Sequence, residues 1–156
     1  MIVVSDTSPI CYLLLIKQIQ LLPQLYGQVL IPRIVQQELS DERSPIVVKN
    51  WIKTPPKWLI IKEVTVPVDK DLEVLNAGQK AAMILAIQQE ANLIIIDEAL
   101  GRKVARKKGL KVTGLLGILD RAAQQNLVDF SQAIAALEKT TFRASSKLIK
   151  SLLSQY

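Results

Sequence analysis

The sequence predicts an α/β protein, a three-layer α/β/α sandwich on a central parallel sheet with a helical C-terminal extension over about 130–156. Three observations lead there. Short β-branched runs alternate with longer helical patterns along the chain, the order that builds βαβ units. Leu93-Ile94-Ile95-Ile96 is apolar without interruption, as a strand covered on both faces must be. The 156 residues are 49% hydrophobic and contain no repeat, low-complexity tract or convincing linker, so 1–156 reads as one domain with ample material for a core.

Each element follows from local chemistry. Ile2-Val3-Val4 opens as a strand and Asp6-Thr7-Ser8-Pro9 stops it. Ser8 suits the N-cap of the next helix, with Pro9 at its first position, where a missing N–H costs nothing. Gln28 to Ile31 is a second strand ended by Pro32, and helices are expected over Arg33 to Leu39 and Pro45 to Lys53. Trp58 to Val66 is rich in β-branched residues and predicts a third strand. Asp69 to Asn76 and Gln79 to Ala91 predict helices parted at Gly78, the second built from strong helix formers. After the strand at 93–96 come a helix over 98–108, a short strand near Lys111-Val112-Thr113, and helices over 115–125, 131–139 and 145–154.

Composition removes several chemistries. There is no histidine, hence no Ser-His-Asp triad, no Cys-His pair and no His-ligated zinc. The single Cys11 sits in an apolar run, cannot form an internal disulfide, and reads as a small core residue. Reactive groups must therefore be carboxylates, hydroxyls, lysines or a metal held by oxygen. The apolar stretch from Pro9 to Leu22 is broken by Lys17, Gln18 and Gln20, too short and polar to span a bilayer, and no basic segment precedes it. No membrane association and a cytoplasmic location are the expectation.

In parallel sheets ligands sit at the carboxyl ends of strands, near the point where strand order reverses. Two acids lie at such ends: Asp6 after the first strand and Asp97 after Ile96. Converging carboxylates need a cation or a shared proton, and Mg²⁺, an oxygen-preferring ion that keeps several waters, is the simplest partner. Each acid also suits a helix cap or a turn. Glu38, taken alone, is an exposed helix acid, and Glu98 is either a ligand or a first-turn acid answering the helix dipole. Residues 98–111 hold six basic side chains, among them Arg102, Lys103, Arg106 and Lys107, against Glu98. That segment carries +5 of the chain's +6, which fits either a phosphate-backbone footprint or a solvated helix face.

The segment Val3-Val4-Ser5-Asp6-Thr7-Ser8-Pro9 resembles the first motif of PIN-domain nucleases, the fold of VapC-type toxins. Val29-Leu30-Ile31-Pro32 leading to Glu38-Leu39 is similar to the second motif, and Gly78-Gln79 before an Ala-rich helix to the third. Leu93-Ile94-Ile95-Ile96-Asp97-Glu98 is similar to the fourth. Lys111 to Gly117 and Phe142-Arg143-Ala144-Ser145 resemble a prokaryotic branch with an extended helical tail. The resemblance implies a metal-dependent ribonuclease, often dimeric and commonly the toxin partner of a small antitoxin. On that basis Asp6 and Asp97 would hold Mg²⁺ or Mn²⁺, Glu38 would complete the acidic cluster, and Ser8 would steady it by hydrogen bonding.

One position departs from the pattern: the third motif usually continues Gly-Glu with a second acid two residues on, where this chain has Gln79 and Ala81. A neutral glutamine can hydrogen-bond a metal-bound water but adds no charge, and Glu98 would compensate only by turning inward. Beside the ribonuclease reading therefore stands a catalytically attenuated module that binds RNA or a protein partner. A receiver-type domain also places an acid after its first strand, but it needs another Asp on a central strand where this chain has Val64-Thr65-Val66-Pro67. Leu148, Ile149, Leu152 and Leu153 form a helical stripe in the tail, expected to dock on the chain's own core, with a second copy or an antitoxin as the other choices.

Overall fold

The computed structural model describes residues 1–156, and the chain begins in the middle of its own sheet. β1 (Val3–Ser5) is fully buried and pairs in parallel with β2 (Val29–Pro32) on one side and β4 (Leu93–Ile95) on the other. β3 (Leu59–Lys62) extends the β2 edge and β5 (Val112–Thr113) the β4 edge, giving the order β3-β2-β1-β4-β5. The chain thus winds outward from β1 to β3, then returns to the other side of β1. The reversal lies between β1 and β4, whose carboxyl ends carry Asp6 and Asp97.

Alternation along these strands makes two cores. Val3, Val29, Ile31 and Ile95 face one layer, formed by α1 (Thr7–Leu15), α2 (Leu21–Tyr26), α3 (Arg33–Leu39), α4 (Ile46–Lys53), α7 (Leu115–Gln124) and α8 (Phe130–Glu138). Val4, Ile94 and Ile96 face the other, formed by α5 (Ala77–Gln88) and α6 (Ala99–Lys107). The first core holds 26 buried residues and the second 12. At roughly 1.5–3 kcal/mol for each large aliphatic side chain removed from water, most of the burial free energy lies on the first face. The predicted parallel sheet with helices on both faces is what forms, and α9 (Ser146–Leu153) closes the chain.

Several elements differ from expectation, each for a physical reason. Helix α1 starts at Thr7, so Asp6 takes the N-cap position and Pro9 falls third in the helix, still within the turn whose N–H groups lack intrahelical acceptors. Ser8 is therefore not a cap; it is an exposed residue of the first turn. The apolar run to Leu22 is divided by Lys17, whose φ of 60° ends α1 and lets a separate α2 begin at Leu21. The third strand stops at Lys62 because its only partner, β2, is itself four residues long. Between 69 and 76 the predicted helix reduces to a 3-10 turn, Lys70–Leu72. Leu72 and Leu75 are buried in the smaller core, and Asn76 begins α5 in extended conformation (φ −73°, ψ 172°), which ends any helix before it.

The tail docks on its own domain. Ile149, Leu152 and Leu153 pack against the larger core, whereas Leu148 stays 47% exposed. Tyr156 stacks on Phe130 with ring centroids 5.1 Å apart, and its hydroxyl donates to the Asp120 carbonyl oxygen at 3.1 Å. Cys11 is half-buried against the same core, and burial pushes its thiol up, away from reactivity. No helix is long and apolar enough to cross a membrane.

Candidate active site

The site is assembled from strand ends. The Asp6 N–H still donates to the Ile95 carbonyl at 3.0 Å, so the residue is fixed by the sheet even as its side chain leaves it. Asp6 is only 4% exposed, in a chain whose other buried polar side chains are Ser5 and Gln79. Burial pushes its carboxyl up to about 7, opposed by the Thr7 backbone N–H and reinforced by the charges of Glu38, Asp97 and Glu98. Asp97 is likewise raised, to about 6, chiefly by burial, with the Leu115 N–H and the Arg102 guanidinium acting the other way.

Asp97 does not cap the helix that follows it; Glu98 occupies that position and makes no side-chain cap bond. Instead, Oδ1 of Asp97 accepts from the Leu115 N–H at 2.7 Å, satisfying the first turn of α7 across the end of β5. Gly114, just before α7, gives this bond room: a Cβ there would lie 3.3 Å from Asp97 Oδ1, a tight contact. The remaining oxygen, Oδ2, is buried with no hydrogen-bond partner. Such an orphaned charged oxygen is costly, and a proton or a hard cation with its waters could satisfy it.

Glu38 reaches the site from α3. Thr7 Oγ1 donates to Glu38 Oε1 at 2.5 Å, and Ser44 Oγ donates to the Glu38 carbonyl oxygen at 2.9 Å. The carboxylate lies directly on the first turn of α5, where a side chain on Gly78 would collide with Oε1. Glycine at the start of α5 thus lets the Glu38 carboxylate sit where it does; a larger residue would have to push it aside. Beside it, Gln79 is 2% exposed and belongs to a capping box: its N–H donates to Asn76 Oδ1 at 2.9 Å and its Oε1 accepts from the Asn76 N–H at 3.3 Å.

The expected residues therefore separate into groups. Asp6, Glu38 and Asp97 meet at the carboxyl end of the sheet, close enough for Glu38 and Asp97 to raise the proton affinity of Asp6. No three of the acids converge into a ready-made metal cage, so an ion here would rely on Asp6, Asp97 and water. Glu98 is exposed, though near enough for its charge to act on Asp6, while the Ser8 side chain makes no hydrogen bond; Thr7 does the steadying expected of Ser8. In the basic segment, Arg102 donates to the Asp97 carbonyl, and Lys103 and Arg106 are exposed on α6. Lys107 is paired with Asp71 at 3.1 Å, and Lys108 with Asp69 at 2.8 Å, which neutralises part of the +5. Thr7, Gly78 and Gly114 carry no chemical signal as isolated letters; only their adjacency to Asp6, Gln79 and Leu115 hints at a site.

Fold and site together define a class: a three-layer α/β/α domain with an acidic centre at the switch point of a parallel sheet. Within that class, a model of the family described as PIN domain matches residues 2–156, and the chain belongs to the PIN-domain family. Its fold is of the nuclease type, one that typically works with divalent metal ions. No curated protein and no solved structure matches the chain.

Proposed function

We propose that the protein is a metal-dependent endoribonuclease, the toxin of a toxin–antitoxin pair, with Asp6 and Asp97 as ligands of Mg²⁺ or Mn²⁺. The observation that carries this reading is a buried carboxyl, Asp6, beside a half-buried one, Asp97, at adjacent strand ends, the second with a buried, unpartnered oxygen. A bound divalent ion supplies positive charge for the phosphodiester and makes a water more acidic. The chain's residues do the rest. Asp97 is locked by the Leu115 N–H so that Oδ2 alone is offered, and Glu38, fixed by Thr7, adds negative charge beside Asp6. Arg102, anchored on the Asp97 carbonyl, puts a guanidinium at the rim, where a phosphate oxygen can accept from it. Lys103 and Arg106, exposed along α6, and Lys107, once released from Asp71, supply further charge toward RNA.

One observation favours a second reading. Gln79, where the resemblance leads one to expect a glutamate, is buried and neutral and spends its carbonyl oxygen on the Asn76 N–H. An attenuated module that binds RNA or a protein partner is what that substitution would leave. Purified protein incubated with mixed cellular RNA and Mn²⁺, beside EDTA and Asp6→Asn controls, separates the two. Cleavage lost in both controls supports the nuclease. Intact RNA with cleavage by Gln79→Glu supports the attenuated site, and intact RNA with both forms overturns catalysis. A homodimer and a small antitoxin belong to the same proposal; light scattering and co-purification with the neighbouring reading frame's product test them.

A further inference from the structure

A cleft of about 490 Å³ runs from Asp97 along the β5–α7 junction to the C-terminal tail. Its charged lining is Asp97 and three arginines, Arg102, Arg106 and Arg143. The single acid is the one already placed in the acidic centre, so beyond Asp97 every charged group of the cleft is an arginine, set among apolar and small side chains. Gly114 and Gly117 line it where α7 begins, and the first N–H of that helix, on Leu115, is already taken by Asp97. Arg102 is held at the inner end: a Cβ on Gly114 would come within 3.5 Å of Arg102 Nη1 and 3.3 Å of Asp97 Oδ1.

Arg143 enters from far along the chain and is held there by specific contacts. Phe142 packs edge-on against Tyr12 of α1 with centroids 5.4 Å apart, and the Tyr12 and Thr141 hydroxyls are 2.9 Å apart. On the other side Ser145 caps α9, accepting from the Leu148 N–H at 3.3 Å. The guanidinium itself makes no ion pair. Its recorded bonds run to the carbonyls of Phe142, at 3.0 Å, and Thr140, at 3.5 Å. An exposed guanidinium held only by neutral carbonyls, paired with no carboxylate and lining the same cleft as two other arginines, has charge left for an anion.

We propose that this cleft binds the sugar-phosphate backbone of single-stranded RNA flanking the bond to be cut, and that Arg143 is a substrate-positioning residue donated by the tail. The proposal rests on the ribonuclease reading for the identity of the polyanion. With few aromatic side chains anywhere in the chain, 4% of residues, contact is through phosphate and not base stacking, so little sequence preference arises within the cleft.

The test is binding of a short fluorescein-labelled single-stranded RNA to the full chain in EDTA, by anisotropy over a series of salt concentrations, with cleavage in Mn²⁺ measured separately. Arg143→Ala and Arg106→Ala are each expected to weaken binding about 3- to 10-fold and to lower the salt slope by about 0.7, the contribution of one phosphate contact on a single strand. Arg143→Lys should keep most of the affinity and the slope, and Lys53→Ala, an exposed lysine of α4 outside the cleft, should change neither. A loss confined to the tail's packing would not move the salt slope. Should Arg143→Ala fail to fold by circular dichroism, Arg106→Ala carries the test. Wild-type affinity and slope in both alanine variants overturn the proposal, as does binding of polyglutamate with none of RNA. Arginine-dependent RNA binding without cleavage by any form keeps the cleft and removes the nuclease; cleavage with arginine-independent binding does the reverse.

Discussion

Asp6 carries the largest proton-linked effect in the site, and its sign is fixed by burial. Because its folded value of about 7 exceeds the ordinary 3.8, the folded protein holds a proton that the unfolded chain has released over that interval. Stability in chelator is therefore full below pH 4, falls as pH rises toward 7 and levels off above, by at most about 4 kcal/mol at 1.36 kcal/mol per unit. Asp6→Asn removes that slope: urea titrations in EDTA should show the variant more stable than the wild type at pH 8 and similar to it at pH 4. The same substitution should abolish Mn²⁺-dependent cleavage, since loss of even outer-shell support costs metal sites about 10–100-fold. Mn²⁺ should raise the melting temperature of the wild type more at pH 8 than at pH 5, because protons and metal compete for the same oxygens.

At the scale of elements, the junction of α3 with α5 sets Glu38. Ala ordinarily stabilises a helix over Gly by up to about 1 kcal/mol, yet at Gly78 the added methyl group strikes the Glu38 carboxylate. Gly78→Ala should push the Glu38 carboxylate off Thr7 and lower stability by about 1 kcal/mol, the low end of overpacking because a flexible side chain can yield. Gly78→Ala with Glu38→Ala should recover most of it; a double-mutant cycle by chemical denaturation reads the coupling directly. The capping box makes a separate prediction. Asn76→Ala leaves the Gln79 N–H without its acceptor and should cost about 1 kcal/mol. Gln79→Glu preserves the box but buries a carboxylate, so it should lower the melting temperature in EDTA and gain more from Mn²⁺ than the wild type does.

Across the whole molecule, the tail links stability to the cleft. Ile149 and Leu152 cover the larger core only in part, so Ile149→Ala or Leu152→Ala should cost about 1–2 kcal/mol, below the 2–5 kcal/mol of fully buried sites. Thermal melts of the two variants check the magnitude, and RNA binding at a temperature where both are folded should stay near wild type. The gathering of Asp97 and Arg102 with Arg143, over 40 positions further on, around one cleft also explains why the basic segment misleads when read linearly. Lys107 and Lys108 belong by sequence to the same cationic run, but the chain between β3 and α5 returns Asp69 and Asp71 to them.

Sequence by itself determined the layer architecture and the acids worth attention. Alternation of period two and uninterrupted apolar runs report which strand faces are buried, and Asp6 and Asp97 follow such runs directly. It did not determine where α1 begins or which neighbour steadies Glu38, because the partners lie far apart in the chain, 31 positions for Thr7 and Glu38; nor whether 69–76 is helical, where burial of Leu72 and Leu75 and the capping box at Asn76 prevail. Only the tertiary structure decided that Asp97 caps α7 in place of α6, that Gly78 lies directly against the Glu38 carboxylate, and that Arg143 lines the same cleft as Asp97. Periodicity encodes burial against a surface, which is local and repeated. Close approach of two backbones, and the pairing of one charge with another, are set once by the way the sheet and its helices stack, and leave a single unremarkable letter in the chain.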